Sequence, residues 1–308
     1  MIFTVLISSL ISIILFLLGV AFFIVTERKG LSIIQLRKGP NKVSFKALLQ
    51  AVSDGTKLLS KGWVVPSSAN KFLFLLGPIT CFFLSYCLWM LFPSFYSSSY
   101  FAFRAIFFIC VSCVNVYTVL AIGWRSNSQY AFLGSMRAVA QRISYEVRIR
   151  TLLFCPVIMV GRFELSFFRE NQLCLIFIMF EVVVLWVISV LAETNRAPFD
   201  FVEGESELVS GYNVEFGGFG FALIALAEYG NIIFMSLLSG ILFLGGLMWW
   251  GLLGDITMTV VLFILCYHII WVRGAFPRFR YDLLIWFCWK VILPIRLGLL
   301  LIYIFMSL

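Results

Sequence analysis

The sequence predicts an all-α protein that crosses a membrane many times, and three observations carry the prediction. Of its 308 residues, 62% are hydrophobic and only 12% charged, against about 25% charged in a soluble domain. Mean hydropathy is +1.03, and the apolar residues gather into stretches near the ~20 residues that a helix needs to cross hydrocarbon. The charges collect between those stretches, with the bases concentrated in alternate connectors.

Eight spans are expected, at about 2–25, 72–92, 101–123, 144–162, 172–192, 217–238, 255–273 and 283–305, in a single membrane domain over 1–308. Met1 to Val25 is too long for the apolar core of a signal peptide and lacks a basic start, so it reads as the first span. The connector 26–71 follows, with a turn at Gly39–Pro40. Within it, 45–59 (FKALLQAVSDGTKLL) sets Phe45, Leu48, Leu49, Val52, Leu58 and Leu59 near one helical face, away from Lys46, Asp54 and Lys57. That pattern reads as an amphipathic helix in the membrane interface.

The fourth span is unusual. Its purely apolar part, 151–160, is too short to cross about 30 Å of hydrocarbon. The helix therefore starts earlier and takes Tyr145, Glu146 and Arg148 towards membrane depth, where charges face protein or a wet cavity. Glu181 and Glu228 are intramembrane carboxylates in the fifth and sixth spans. The sixth opens GGFGF, and glycines there permit irregular backbone beside a cavity. Residues 240–250 extend the sixth helix or lie at the interface.

Orientation follows from the bases. One side takes the many Lys and Arg of 26–71, then Arg125, Arg137, Arg142, Arg148, Arg150, Arg196, Arg273, Arg278 and Arg280; the other has Arg104, Arg162 and Arg169. By the positive-inside rule both termini lie on the outer side, and the connector 193–216 lies on the inner, basic side.

That connector, ETNRAPFDFVEGESELVSGYNVE over 193–215, holds Glu193, Asp200, Glu203, Glu205, Glu207 and Glu215 against one base, Arg196. Neighbouring carboxylates cannot all ionise cheaply, and perturbed carboxylates gather at functional sites. Pro198, Phe199, Phe201 and Val202 interleave with the acids, as in a segment packed on something. Glu146, Glu193 and Glu228 are expected to line one inward path, and a proton relay needs them close enough to connect through water. Cys110 and Cys113 form a CxxC inside a predicted span, where Cys behaves as a small hydrophobe. His268 has no companions at ligand spacing, so no metal site is expected. The net charge of +8 lies in loops between spans and is no sign of nucleic-acid binding.

ERKGLSIIQLRKGPNKV (27–43), AVAQRISYEV (138–147), AETNRAPFDFVEGESELVSGYNVE (192–215) and RGAFPRFRYDLL (273–284) resemble, in order and spacing, the chain 1 family of NADH–ubiquinone oxidoreductases. These are membrane-arm subunits of respiratory complex I at its junction with the peripheral arm. The resemblance implies no catalytic residue and no prosthetic group on this chain. Ubiquinone would be the substrate, with FMN and iron–sulfur clusters on partner subunits.

On matching positions, Arg28, Arg37, Asp54, Lys57, Arg196, Asp200, Phe201, Glu203, Glu205 and Glu207 would belong to the quinone chamber and connector. Tyr145, Glu146, Glu193 and Glu228 would begin the proton path. Implied partners are the quinone-site peripheral-arm subunits, small membrane-arm subunits and lipids, with no nucleic acid. The short chain and high Phe content point to the mitochondrial inner membrane, with a bacterial or plastid membrane as the alternative.

One departure from the family pattern is the pair Arg148 and Arg150 after SYEV, where small or apolar residues are usual. Cations there favour an ionised Glu146, or face headgroups or a lineage-specific partner. The alternative functions are a free-standing secondary transporter, compatible with the buried carboxylates and Gly-rich sixth run, and the related membrane subunit of a hydrogenase-type complex.

Overall fold

The computed structural model describes residues 2–62, 64–93, 102–170, 175–200, 211–245 and 252–307, and every regular element among them is helical. In chain order these are α1 (Ile2–Ile34), a 3₁₀ turn (Phe45–Ala47), α2 (Gln50–Ser60), α3 (Lys71–Trp89), α4 (Arg104–Arg125), α5 (Gln129–Val160), α6 (Leu165–Glu170), α7 (Leu175–Ile178) and α8 (Phe180–Glu193). A second 3₁₀ turn (Gly211–Asn213) leads into α9 (Gly218–Leu244) and α10 (Leu252–Ala275). The last helix runs as α11 (Tyr281–Phe287), a π turn (Cys288–Ile292) and α12 (Leu293–Ser307).

Among the described residues, six helices are long and apolar enough to cross a membrane: Ile7–Ile34, α3, α4, α9, Leu253–Ala275 and Tyr281–Ser307. The other two expected spans are of a different kind. Helix α5 begins at Gln129, well before the apolar run, and brings Arg137, Arg142, Glu146, Arg148 and Arg150 with it. Its early start is what the short apolar part 151–160 requires. Helix α8 has 14 residues and is set off from α7 by a break at Met179.

Helices α5 and α9 form the centre. Helix α5 is packed by α4, α8, α12 and the Gly211–Asn213 turn, and α9 by α1, α2, α3 and α10. Both bury residues around their circumference, as a helix enclosed by others must. Close approach is made by glycine: a Cβ on Gly134 of α5 would lie 2.9 Å from backbone atoms of Gly211 and Tyr212, and one on Gly230 of α9 would lie 2.6 Å from Phe16 of α1. The outer faces are apolar instead. Leu10, Ile14 and Leu15 of α1, Ile256, Val260 and Phe263 of α10, and Leu301, Ile302 and Phe305 of α12 are exposed. In a lipid solvent that is the stable arrangement.

Several boundaries differ from the sequence expectation. Helix α1 continues nine residues past Val25, to Ile34, and closes with Leu36 left-handed at φ 54. The Arg37 and Leu36 amides there donate to the carbonyls of Ser32 and Ile33, which satisfies two terminal acceptors. The amphipathic helix starts at Gln50 rather than 45, because Ser44, Lys46 and Ala47 all have positive φ and form a tight turn. The sixth run extends to Leu244, so the first part of 240–250 is helix. Only Leu293 separates the π turn from Pro294, whose ring would crowd a regular turn at the carbonyl four residues back.

Candidate functional site

Three carboxylates on three helices meet beside the start of the acidic connector. Glu146 of α5, Glu193 at the end of α8 and Glu228 of α9 line one cleft with Arg142, Arg150, Ser112, Asn115, Thr194 and Asn231. Leu88, Phe108, Ile149 and Met235 supply its apolar walls, around about 580 Å³ of empty space. Helical spacing explains the membership. Arg142, Glu146 and Arg150 are four apart, so they stack on one face of α5. Tyr145 and Arg148, three apart, turn to the next face, where the Arg148 guanidinium lies 4.4 Å from the Tyr145 ring centre.

Each carboxylate has a different environment. Arg150 forms an ion pair with Glu146, and Ser112 Oγ donates to the same Glu146 oxygen at 3.3 Å. The Tyr212 hydroxyl donates to Glu228. Glu193 keeps a buried Oε2 with no hydrogen-bond partner among the described residues. Of the expected proton-path residues, Glu146, Glu193 and Glu228 are thus brought together. Tyr145 is fully buried outside the cleft wall, its ring 6.4 Å from Phe199.

The root of the connector is fixed by polar and aromatic contacts. Helix α8 closes with Asn195 left-handed at φ 51, and the amides of Arg196 and Asn195 donate to the carbonyls of Leu191 and Ala192. Asn tolerates that conformation better than most residues. The turn sends Arg196 back to Glu27 of α1, at 3.2 Å. Arg273 of α10 pairs with the same Glu27, and Tyr229 of α9 lies under the Arg196 guanidinium at 4.4 Å.

Gln141 Nε2 donates to the Ala192 and Phe199 carbonyls at 3.0 and 2.9 Å, gripping the segment on both sides of the turn. Further along, Arg278 donates to Asp200 at 3.3 Å, the Phe279 amide donates to the Pro198 carbonyl at 3.1 Å, and the Phe199 and Phe279 rings stack at 5.7 Å. The alternation of acids with Pro198 and Phe199 is accordingly that of a packed segment. Phe201, Glu203, Glu205 and Glu207 lie outside the described residues.

A third group joins α1 to the amphipathic helix. Arg28 and Asp54 pair at 2.7 Å, and Gln50 Nε2 donates to the other Asp54 oxygen at 2.8 Å. Lys57 is exposed on α2, and Arg37 donates to Gln35 at 2.8 Å just beyond α1. Arg28 and Asp54 are thereby brought together, whereas Lys57 and Arg37 stand apart in exposed positions.

Reading from sequence missed Glu27, Tyr229, Arg273 and Arg278 as members of the connector's anchorage, and Ser112 and Tyr212 as partners of the carboxylates. Glu27 opens ERKG and Arg273 opens RGAFPRFRYDLL, both quoted for the resemblance. The available signal was an acid and a base of distant motifs on one side of the membrane.

The profile of the NADH dehydrogenase family matches residues 7–304. The chain is 47% identical over 297 residues to NADH-ubiquinone oxidoreductase chain 1 of Heterololigo bleekeri, covering 96% of this chain and 95% of the relative. To the proteins of that name from Aedes aegypti and Branchiostoma lanceolatum it is 46% and 44% identical, over 97% and 93% of this chain and 95% and 90% of theirs. With the match running from the first helix to the last, the chain belongs to the NADH dehydrogenase family, among the NADH–ubiquinone oxidoreductase chain 1 proteins.

Proposed function

We propose that the chain is the membrane subunit of a proton-pumping NADH:ubiquinone oxidoreductase in the mitochondrial inner membrane. In this reading it forms the ubiquinone chamber with peripheral-arm partners and couples quinone reduction to proton movement. Eight spans cross the bilayer, α5 and the α7–α8 pair making the two that carry charge or a break. Both termini face outward, so the connector 193–216 faces inward. Ubiquinone enters from lipid between α1 and α2, and flavin and iron–sulfur chemistry stays on other subunits.

The observation that carries the reading is the cleft holding Glu146, Glu193 and Glu228 at the root of the acidic connector. Reduction of a quinone to quinol takes up two protons. A charge change beside the connector acts on carboxylates whose proton affinities depend on one another. The connector root is bonded to α1, α5 and the segment after α10. A shift in the connector therefore reaches Glu193 through the two residues, Thr194 and Asn195, that separate it from Arg196.

Photo-crosslinking of native membranes with a quinone carrying a reactive head group tests the reading. Label is expected on residues 26–61 or 193–216 of this chain. Label confined to neighbouring subunits would remove the chamber role.

A further inference from the structure

Arg150 is unexplained by the connector and by the resemblance, yet its side chain occupies the cleft. The charged and titratable groups facing that space can be taken helix by helix. Helix α5 contributes Arg142, Glu146 and Arg150; α8 contributes Glu193 and α9 contributes Glu228. From α4 come the neutral Ser112 and Asn115, with Cys113 against Arg150. Tyr212 reaches Glu228 from the 3₁₀ turn. Among the described residues, two guanidiniums thus face three carboxyl groups.

We propose that Arg150 is a positioning residue that pins Glu146, leaving Glu193 as the carboxyl group of the cleft that exchanges protons. The inference rests on the proton-path reading above and names the residue that carries the labile proton. Glu146 is committed: it has an ion pair to Arg150 and a hydrogen bond from Ser112 Oγ. Glu228 is engaged by a phenol. Glu193 alone of the three keeps a buried oxygen without a donor among the described residues. A carboxylate so placed gains least from staying charged. With one carboxyl group in excess over the guanidiniums, a single bound proton balances the cleft, and Glu193 is where it resides. When charge changes near the connector, Glu193 is also the nearest of the three in sequence to the connector root.

A hydrophobic carbodiimide distinguishes the groups in the intact complex, in native membranes. It adds to a protonated carboxyl group: the acid proton passes to a carbodiimide nitrogen while the carboxyl oxygen bonds to the central carbon. After brief treatment, proteolysis and mass spectrometry of this chain should find Glu193 labelled severalfold more than Glu146. Equal labelling of Glu146 or Glu228 would overturn the assignment.

In assembled complexes carrying Arg150→Gln, labelling of Glu146 should rise to the level of Glu193, and Arg150→Lys should restore the parental ratio. An unchanged ratio in Arg150→Gln would remove the pinning role. Should that variant fail to assemble, the labelling ratio of the parent protein still decides the assignment. Proton pumping provides the separate check on the underlying reading. A Glu193→Gln complex that pumps at the parental ratio would end the proton-path reading without altering the labelling pattern of the parent.

Discussion

Single side chains in this protein are placed by what charge requires in a low-dielectric interior. Glu27 is shared by Arg196 and Arg273, and its side chain is only 7% exposed. Removing one member of such a group leaves uncompensated charge, which costs about 3–5 kcal/mol. Glu27→Gln should therefore lower the thermal midpoint of the assembled membrane arm, and Arg196→Lys should be costly too, because Lys loses the planar contact with Tyr229. An unchanged midpoint in Glu27→Gln would show that the three-way contact contributes nothing.

Arg148 and Arg296 present the reverse case. Both are buried, each is 1% exposed, and neither has an ion-pair partner among the described residues. They also lie within electrostatic reach of each other. Arg148→Met and Arg296→Leu should each stabilise the assembly, by about 1–4 kcal/mol, the range found when buried ionic groups give way to apolar side chains. The double variant should gain less than the sum, since the repulsion between the two cations is removed only once. Additive gains would mean that the two charges do not interact.

At the scale of elements, the sequence was most legible where hydrophobic periodicity acts alone. Helices α3, α4 and α10 lie within a few residues of their expected ends. Helix α1 was harder, because ERKGLSII (27–34) is polar at its start, yet its Gly30 does not stop the helix, which closes only at Leu36. The start of α2 was missed because periodicity across 45–59 is satisfied by sequence alone, whereas the positive φ of Lys46 and Ala47 reflects a turn closed by Lys29, which donates to the Lys46 carbonyl.

The two faces of α5 were legible in principle, since spacing by four assigns Arg150 to the face of Glu146. What that face touches depends on α8 and α9, which no local pattern reveals. Packing of α5 against the Gly211–Asn213 turn depends on Gly134. Its Cβ contact with backbone leaves no room for a side chain to yield. Gly134→Val should cost about 1–3 kcal/mol by overpacking and displace Tyr212 from Glu228. Protection of the Tyr212 segment from limited proteolysis in the assembled complex measures the displacement. Parental protection would show that the turn adjusts freely.

For the molecule as a whole, charge and packing must give the same orientation. The connector root, the end of α1, α2 and the segment after α10 are bonded to one another through Arg196–Glu27, Arg273–Glu27, Asp200–Arg278 and Arg28–Asp54. All of them must lie at one end of the helical bundle, and they are the connectors that carry most of the bases. A bundle with that end outward would set its basic connectors against the positive-inside rule. The exposed Lys57 and Lys61 on and beside α2 report the orientation directly. A membrane-impermeant amine reagent should modify them in vesicles that expose the inner face and leave them unmodified in sealed vesicles of the opposite sense. Modification only from the outer face would invert the topology. It would also place the cleft of Glu146, Glu193 and Glu228 opposite the side from which a reduced quinone could influence it.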